Sequence, residues 1–374
     1  MKKTTRLSSD SRHYLQNRRQ DLQKSLKMHR RAKDKEGEAQ DWFFLGGIEV
    51  LKGNFENAQN NLQKSLYLLH QLGKEADEAA LLYFLADIDI KLAEYESAQK
   101  TLEKSLAISE RIGDRERESM VWKGFASVDY CLKQYDNAYE KCQHALDIAQ
   151  QEGDKRLQAA IWSDVAKIHV AQGDYEDACY EFKKALEIWQ KIEDKAAGAK
   201  NIEDKAVEAD VWKELGNLDL STDKIQSAVV NFQKALEIKR LTGDTAAEIT
   251  ILCQIATIYE NQGDCDAAVK NFRNALDAAL EINDVVEIGT ILAKLGMIAS
   301  NSGRTKEGLR LVTLGAMILV PTGDAHFNDI KSWVDGQASD LGYTKKRFDA
   351  MTQELQKVCR CDQIKSLIET AFRD

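Results

Sequence analysis

Catalysis leaves recognisable spacings in a chain, and this one shows none of them. The six histidines, His13, His29, His70, His144, His169 and His326, are scattered rather than clustered. There is no HExxH pair to hold a metal on one helix face, no GxSxG elbow to expose a nucleophile and no P-loop to cradle phosphates. Carboxylate pairs such as Glu176/Asp177 fall at expected helix starts, where negative charge favours the helix dipole. Gly46-Gly47 falls inside an expected helix, not in a phosphate-binding turn. The seven cysteines are odd in number and lack a CxxC spacing. The close pair in Cys359-Arg360-Cys361 has no further ligand near it in sequence. No catalytic residue, cofactor or metal is expected, and the remaining chemistry is that of surfaces.

The bulk composition agrees. The chain has 374 residues, 43% hydrophobic and 30% charged, so it can bury a core and remain soluble. That length suits two or three ordinary domains or one repeat array. A single proline, Pro321, leaves long stretches free for helices. The net charge of −9 argues against a general nucleic-acid binder, which needs a positive face. The charge is uneven: residues 1–35 carry twelve Lys/Arg against three Asp, a local +9, leaving −18 on the remainder. This basic stretch is either a solvated helix with a frayed leader or a contact for an acidic partner, a membrane surface or RNA. No run reaches the roughly 20 apolar residues of a membrane span. Met1-Lys2-Lys3 is not followed by an apolar run, so no secretory signal is visible. Scattered cysteines fit a reducing compartment, and a cytoplasmic location is expected.

What positions the surface is a repeat. Gly173-Asp174-Tyr175-Glu176-Asp177-Ala178 leads to Phe182-Lys183-Lys184-Ala185-Leu186. The same script returns at Leu62-Gln63-Lys64-Ser65-Leu66, Leu102-Glu103-Lys104-Ser105-Leu106, Phe232-Gln233-Lys234-Ala235-Leu236 and Phe272-Arg273-Asn274-Ala275-Leu276. Turns fall at Gly73, Gly113, Gly153, Gly243 and Gly323, with Asn283 in register, and Asp114, Asp154, Asp244 and Asp324 follow four of them. Such a glycine ends one helix and the aspartate caps the next. A second set of turns lies midway at Gly53, Gly173, Gly263 and Gly303. Each unit of about 40 residues is therefore two helices. The first carries Trp42/Leu45/Gly46, Leu82/Leu85/Ala86, Trp122/Phe125/Ala126, Trp162/Val165/Ala166, Trp212/Leu215/Gly216, Leu252/Ile255/Ala256 and Leu292/Leu295/Gly296. The second carries Ala58/Leu62/Ser65 and its equivalents to Ala268/Phe272/Ala275. Both spacings keep their residues on one helical stripe.

Trp212, Leu215-Gly216, Ala228, Phe232 and Ala235 resemble the tetratricopeptide repeat pattern position by position. The resemblance covers about residues 11–324 through seven units. The period is about 40 instead of 34 and the family's turn proline is missing, as in the longer-helix variety found in kinesin light chain and bacterial signalling proteins. It implies an all-α fold: a right-handed α-solenoid of about seven antiparallel helix pairs with N- and C-terminal capping helices. The expected divisions are a disordered basic leader at 1–10, a capping half-repeat at 11–34, seven repeats at 35–324 and a helical cap at 325–374. A ten-residue duplication, Ile192-Glu193-Asp194-Lys195-Ala196 and Ile202-Glu203-Asp204-Lys205-Ala206, interrupts the register as a tolerated loop or helix extension, or as a hinge or docking knob.

The resemblance also implies that the first helices line a concave wall. Residues about one, five and eight positions after the tryptophan register point inward. The candidate binding residues are then Phe43, Tyr83, Asp87, Lys123, Ser127, Tyr130, Lys167, Lys213, Asn217, Thr257 and Glu260, with Lys294 beside the row. Phe43, Tyr83 and Tyr130 would anchor partner side chains. Lys123, Lys167 and Lys213 with Asn217 would form a basic track for a carboxylate-bearing segment. Lys213-x-x-x-Asn217 resembles one element of the family's carboxylate clamp, and the other elements are unmatched. The expected function is a non-catalytic protein-interaction scaffold binding a peptide or protein segment. The alternative is a sensor or regulatory subunit controlling a separate protease, transcription activator or phosphorelay component. Partner identity and oligomeric state are left open.

Overall fold

The computed structural model describes residues 9–195, 202–320, 327–356 and 361–372. Residues 1–8 of the expected leader, Gly198 within the duplication, the Gly323-Asp324 turn, and Cys359 with Arg360 lie outside the described residues. Every described element is a helix: α1 (Ser9–Ala32), α2 (Lys35–Leu51), α3 (Phe55–Leu72), α4 (Glu75–Lys91), α5 (Tyr95–Ile112) and α6 (Arg115–Cys131). There follow α7 (Tyr135–Gln151), α8 (Lys155–Gln172), α9 (Tyr175–Lys195), α10 (Ile202–Ser221), α11 (Ile225–Thr242) and α12 (Thr245–Asn261). The chain closes with α13 (Cys265–Glu281), α14 (Val285–Asn301), α15 (Thr305–Leu319), α16 (Phe327–Asp340), α17 (Lys345–Leu355) and α18 (Cys361–Ala371). Among the described residues no helix is long and apolar enough to cross a membrane.

The turns follow one backbone rule. Gly53, Gly73, Gly113, Gly153, Gly173, Gly243, Gly263 and Gly303 all have positive φ. Lys33, Ala93, Lys133, Asp223 and Asn283 occupy the same register with positive φ and a Cβ to accommodate. Asp34, Asp114, Asp154, Asp244, Asp264 and Asp284 each cap the next helix by accepting the N–H three residues on. The register runs 173 to 223 where other steps are 40, so the duplication adds one offset of ten. Asp204 of its second copy pairs with Arg156 of α8 at 2.8 Å.

The chain forms two compact units, Met1–Asn231 and Phe232–Asp374. In the first, α1 packs on α2, and α2/α3, α4/α5, α6/α7 and α8/α9 form antiparallel pairs. Helices α4, α6, α8 and α10 also pack directly on one another, which α3, α5, α7 and α9 do not do to a comparable extent. The first helices are thus the tighter layer of this unit. Leu62, Leu102, Cys142 and Phe182 fill the space within successive pairs, and Ala58, Ala98, Ala138 and Ala178 are wholly buried where backbones approach. Ser65 and Ser105 donate to the carbonyls of Ala39 and Ala79, each at 2.8 Å, so these small residues also close hydrogen bonds.

Two further regularities explain the repeated script. Lys64 Nζ lies 4.1 Å above the Trp42 ring and Lys184 Nζ 3.6 Å above Trp162, while His144 meets Trp122 edge-on at 4.5 Å. The script's lysine therefore covers the half-buried tryptophan of its own pair. Seven residues after the tryptophan register stand buried carboxylates. Asp89 accepts from Gln59 at 2.8 Å and Ser97 at 2.7 Å, Asp129 pairs with Lys141 at 2.5 Å, and Asp219 accepts from Asn231 at 2.8 Å. In the fourth pair the polarity is exchanged: His169 Nδ1 meets Glu181 Oε2 at 2.8 Å. Buried carboxylates paired in this way tie first to second helices and are not free for proton transfer.

In the second unit α12/α13 and α14/α15 form the pairs, and α16, α17 and α18 pack on α15. Helices α14 and α15 touch through bare backbone. A Cβ on Gly308 would lie 2.4 Å from the Gly296 carbonyl, and one on Gly315 would lie 2.5 Å from the Gly289 carbonyl. Ile330, Val334, Met351 and Leu355 close this core together with Leu309, Val312 and Leu319.

Candidate functional site

The first-helix face of unit 1 brings most of the expected row together. At its start Phe43 is exposed, with its ring centroid 5.7 Å from Phe44 and 6.2 Å from Phe84. Tyr83 sits against α6, where a Cβ on Gly124 would come within 3.3 Å of its ring. Asp87 is paired with Lys91, one turn along α4. Ser127 donates to the Lys123 carbonyl at 3.1 Å, within its own helix. Tyr130 is 37% exposed and its ring lies 5.7 Å from Tyr135.

The lysines are not the free basic track expected from sequence. Lys123 Nζ lies 2.9 Å from Asp164 Oδ2, and Lys167 Nζ lies 3.0 Å from Asp164 Oδ1. Asp164 thus meets a lysine on each of its carboxylate oxygens. Lys213 Nζ lies 3.4 Å from Glu214, which also accepts from Asn217 at 3.2 Å. The track is a ladder of alternating charge running over α6, α8 and α10. The physical reason is desolvation: Lys123 is only 22% exposed, and a cation that far from water needs a counter-ion. In the second unit Glu260 pairs with Lys294 at 3.6 Å and Thr257 donates to the Cys253 carbonyl at 2.9 Å.

Electrostatics show what the ladder can do. Burial pulls the Asp164 carboxyl upward, but Lys123 and Lys167 outweigh it and hold the group at about 2. Asp164 in turn raises both lysines above their ordinary range. Burial raises Tyr83 and Tyr130, and pushes the Cys142 thiol up to about 12. Each of these groups is moved away from neutrality, the reverse of what proton transfer or thiolate attack requires. Among the described residues no group of three His, Cys, Asp or Glu could hold a metal ion.

Asp164, Glu214 and Phe84 belong to this face and were not singled out from sequence. A signal existed two residues after the tryptophan register, where the chain reads Phe44, Phe84, Gly124, Asp164, Glu214, Gln254 and Lys294. The column turns from aromatic to acidic where its neighbour, one residue earlier, turns from Phe43 and Tyr83 to Lys123 and Lys213.

The tetratricopeptide repeat family model matches residues 39–111, 117–191 and 207–281. No curated protein matches the chain. Among solved structures, the Rap conjugation gene regulator of plasmid pLS20, determined in complex with a peptide, superposes with a TM-score of 0.55 at 14% identity, covering 92% of this chain and 78% of that one. The apo quorum sensor NprR from B. thuringiensis gives 0.52 at 14% identity, covering 92% and 99%. A signal transduction ATPase with a tetratricopeptide repeat sensor from Pyrococcus horikoshii gives 0.53 at 18%, covering 86% of this chain and 44% of that one. At these identities the likeness is one of fold. The family matches extend over more than half of the chain, each across most of four successive helices, so the chain belongs to the tetratricopeptide repeat family.

Proposed function

We propose that this chain is a non-catalytic interaction scaffold that holds a peptide or protein segment on the first-helix face of unit 1. The observation that carries the reading is the composition of that face. The first helices carry exposed Phe43, Phe44 and Tyr130 together with a charge ladder in which Lys167 remains 46% exposed. Aromatics of this kind contribute contact area at low entropic cost, and the ladder selects the charges that lie beside them. A partner segment with acidic residues competes with Asp164 for Lys167, and one with basic residues competes for Glu214. The similar conjugation regulator was determined with a peptide bound, which favours a peptide over a folded surface. The groups moved away from neutrality favour binding over catalysis, and a cytoplasmic setting suits the free cysteines.

Panning a random peptide library tests this reading. Wild-type protein should enrich peptides that combine large apolar residues with charges, and Phe43→Ser with Tyr130→Ala should weaken the best of them at least tenfold. Equal recovery by that variant would overturn the assignment of the face. The second reading, a sensor that controls a separate effector, is favoured by likeness to a quorum sensor and a gene regulator. It requires that a selected peptide change the small-angle scattering profile, and an unchanged profile with bound peptide contradicts it. Loss of binding on removing residues 1–35, with the first-helix variants unaffected, would move the site to the basic N-terminal stretch.

A further inference from the structure

Unit 2 holds a second polar feature, on the side of α13 away from the α12 row. A cavity of about 510 Å³ opens between α13, the end of α14, the turn into α15 and the end of α18. Three cations line it: Lys270 and Arg273 from one face of α13, and Arg304 from the turn. Among the described residues Asp266 is the one carboxylate in the lining. Arg304 is held in place by donating through Nη1 to the Ala371 carbonyl at 3.1 Å. The guanidinium of Arg273 lies 5.3 Å from the centre of the Phe372 ring, and among the described residues its buried Nε has no hydrogen-bond acceptor.

Arg117 Nε is likewise buried without an acceptor, but Asp114 Oδ2 lies 3.9 Å from it, and among the described residues no carboxylate lies that close to Arg273. Lys123, Lys141, Arg156, Lys167 and Arg240 each have a carboxylate within reach, as expected in a molecule with net charge −9. A buried guanidinium nitrogen without an acceptor is costly, and such a cost persists where a ligand supplies the missing group. The planar fork of arginine matches a two-oxygen anion, and the Phe372 ring fixes the plane in which that fork lies. Val269, Ile298 and Phe372 supply an apolar wall beside the charges. The volume exceeds what a bare oxyanion needs and falls in the range of sites for small organic molecules.

We infer that the cavity around Arg273 binds a small organic oxyanion, a phosphate or carboxylate group carried on an apolar body, with Arg273 as the fork, Lys270 and Arg304 as flanking charges and Phe372 as the wall. The anionic group sits on Arg273 Nε and the adjacent guanidinium nitrogen. The apolar body lies over Val269 and Ile298. This site is separate from the first-helix face and does not depend on the peptide reading.

The test is calorimetric titration of the full chain in 150 mM NaCl with three probes: inorganic phosphate, phenyl phosphate and benzoate. Phenyl phosphate or benzoate should bind saturably and at least tenfold more tightly than inorganic phosphate, and which of the two wins names the anionic group. Arg273→Gln should weaken that binding at least tenfold, and Lys270→Gln, on an exposed side chain, about threefold. Arg240→Gln, whose partner Glu248 lies outside the cavity, should leave it unchanged. The circular dichroism spectrum and melting curve of each variant separate lost folding from lost binding, and Lys270→Gln keeps the test open if Arg273→Gln does not fold. Absence of saturable binding by all three probes, or binding indifferent to Lys270 and Arg273, would overturn the inference.

Discussion

In unit 1 the position two residues after the tryptophan register carries Asp164 and Glu214, and each sits beside a lysine of the inward row. In unit 2 the same position carries Gln254 and Lys294, and the inward row of Cys253, Thr257, Glu260, Ala293, Met297 and Ser300 keeps a single charge, Glu260, which pairs with Lys294 at 3.6 Å. The contrast repeats where helices approach most closely. Unit 1 places alanine and serine there, and the Ser65 and Ser105 hydroxyls bond across to a facing carbonyl. Unit 2 places Gly289 and Gly296 of α14 against Gly308 and Gly315 of α15, so backbone meets backbone. One repeat plan therefore yields two kinds of packing. Over α6, α8 and α10 the helices are spaced by side chains that carry charge and aromatic area. Where the array ends, they are drawn together and covered.

The largest expected effect comes from breaking the close approach in unit 2. A methyl on Gly308 would lie 2.1 Å from Ser300 Oγ and 2.4 Å from the Gly296 carbonyl. Gly308→Ala should cost about 3 kcal/mol, read as a lowered urea midpoint at unchanged slope. A cost below about 0.5 kcal/mol, the size of an ordinary surface substitution, would show that α14 and α15 are not in backbone contact.

Next is the charge ladder. Asp164→Asn leaves Lys123 and Lys167 facing each other without their counter-ion, and should cost about 1–2 kcal/mol at pH 7. The pH dependence has a definite sign. The folded carboxyl, at about 2, binds its proton less readily than an ordinary one at 3.8. Its contribution is therefore full above about pH 4 and is lost as the pH falls toward 2. The gap between wild type and Asp164→Asn should close over that window. A gap that stays constant down to pH 2 would mean the ladder is a surface accident.

Smaller effects belong to positions the two units share. Ala93 and Lys133 hold the left-handed turn conformation that glycine holds elsewhere, both with φ 61°. Ala93→Gly should stabilise by about 1 kcal/mol by removing the Cβ clash of that conformation, and a loss of stability would contradict the register. Gly47 lies inside α2 with nothing within 4 Å of an added Cβ. Gly47→Ala should raise stability by about 0.5 kcal/mol through lower chain entropy, seen as a small rise in melting temperature. A fall would mean that the first-helix face is more crowded there than the structure shows.

Much of the fold was legible because its signals are local. A glycine before Asp114 or Asp154 states a turn, and Trp212 with Leu215-Gly216 states a stripe. The turns at Ala93, Lys133 and Asp223 carry no glycine, so they were not named from sequence, and only the register of their neighbours marks them. The face was less legible because charge pairing spans helices. Lys123 and Asp164 are distant in sequence and meet only once α6 and α8 pack, so a row of lysines looks free until its counter-ions arrive. The backbone contact of Gly289 and Gly296 with Gly308 and Gly315 escapes the sequence for the same reason: it is made in three dimensions.

The most direct measurement is hydrogen exchange of the chain with and without a peptide taken from the library selection. The account predicts slowed exchange in α2, α4, α6 and α8, concentrated around Phe43, Tyr83 and Tyr130, with α3, α5 and α7 unchanged. Protection confined to the second helices, or no peptide selected at all, would contradict it.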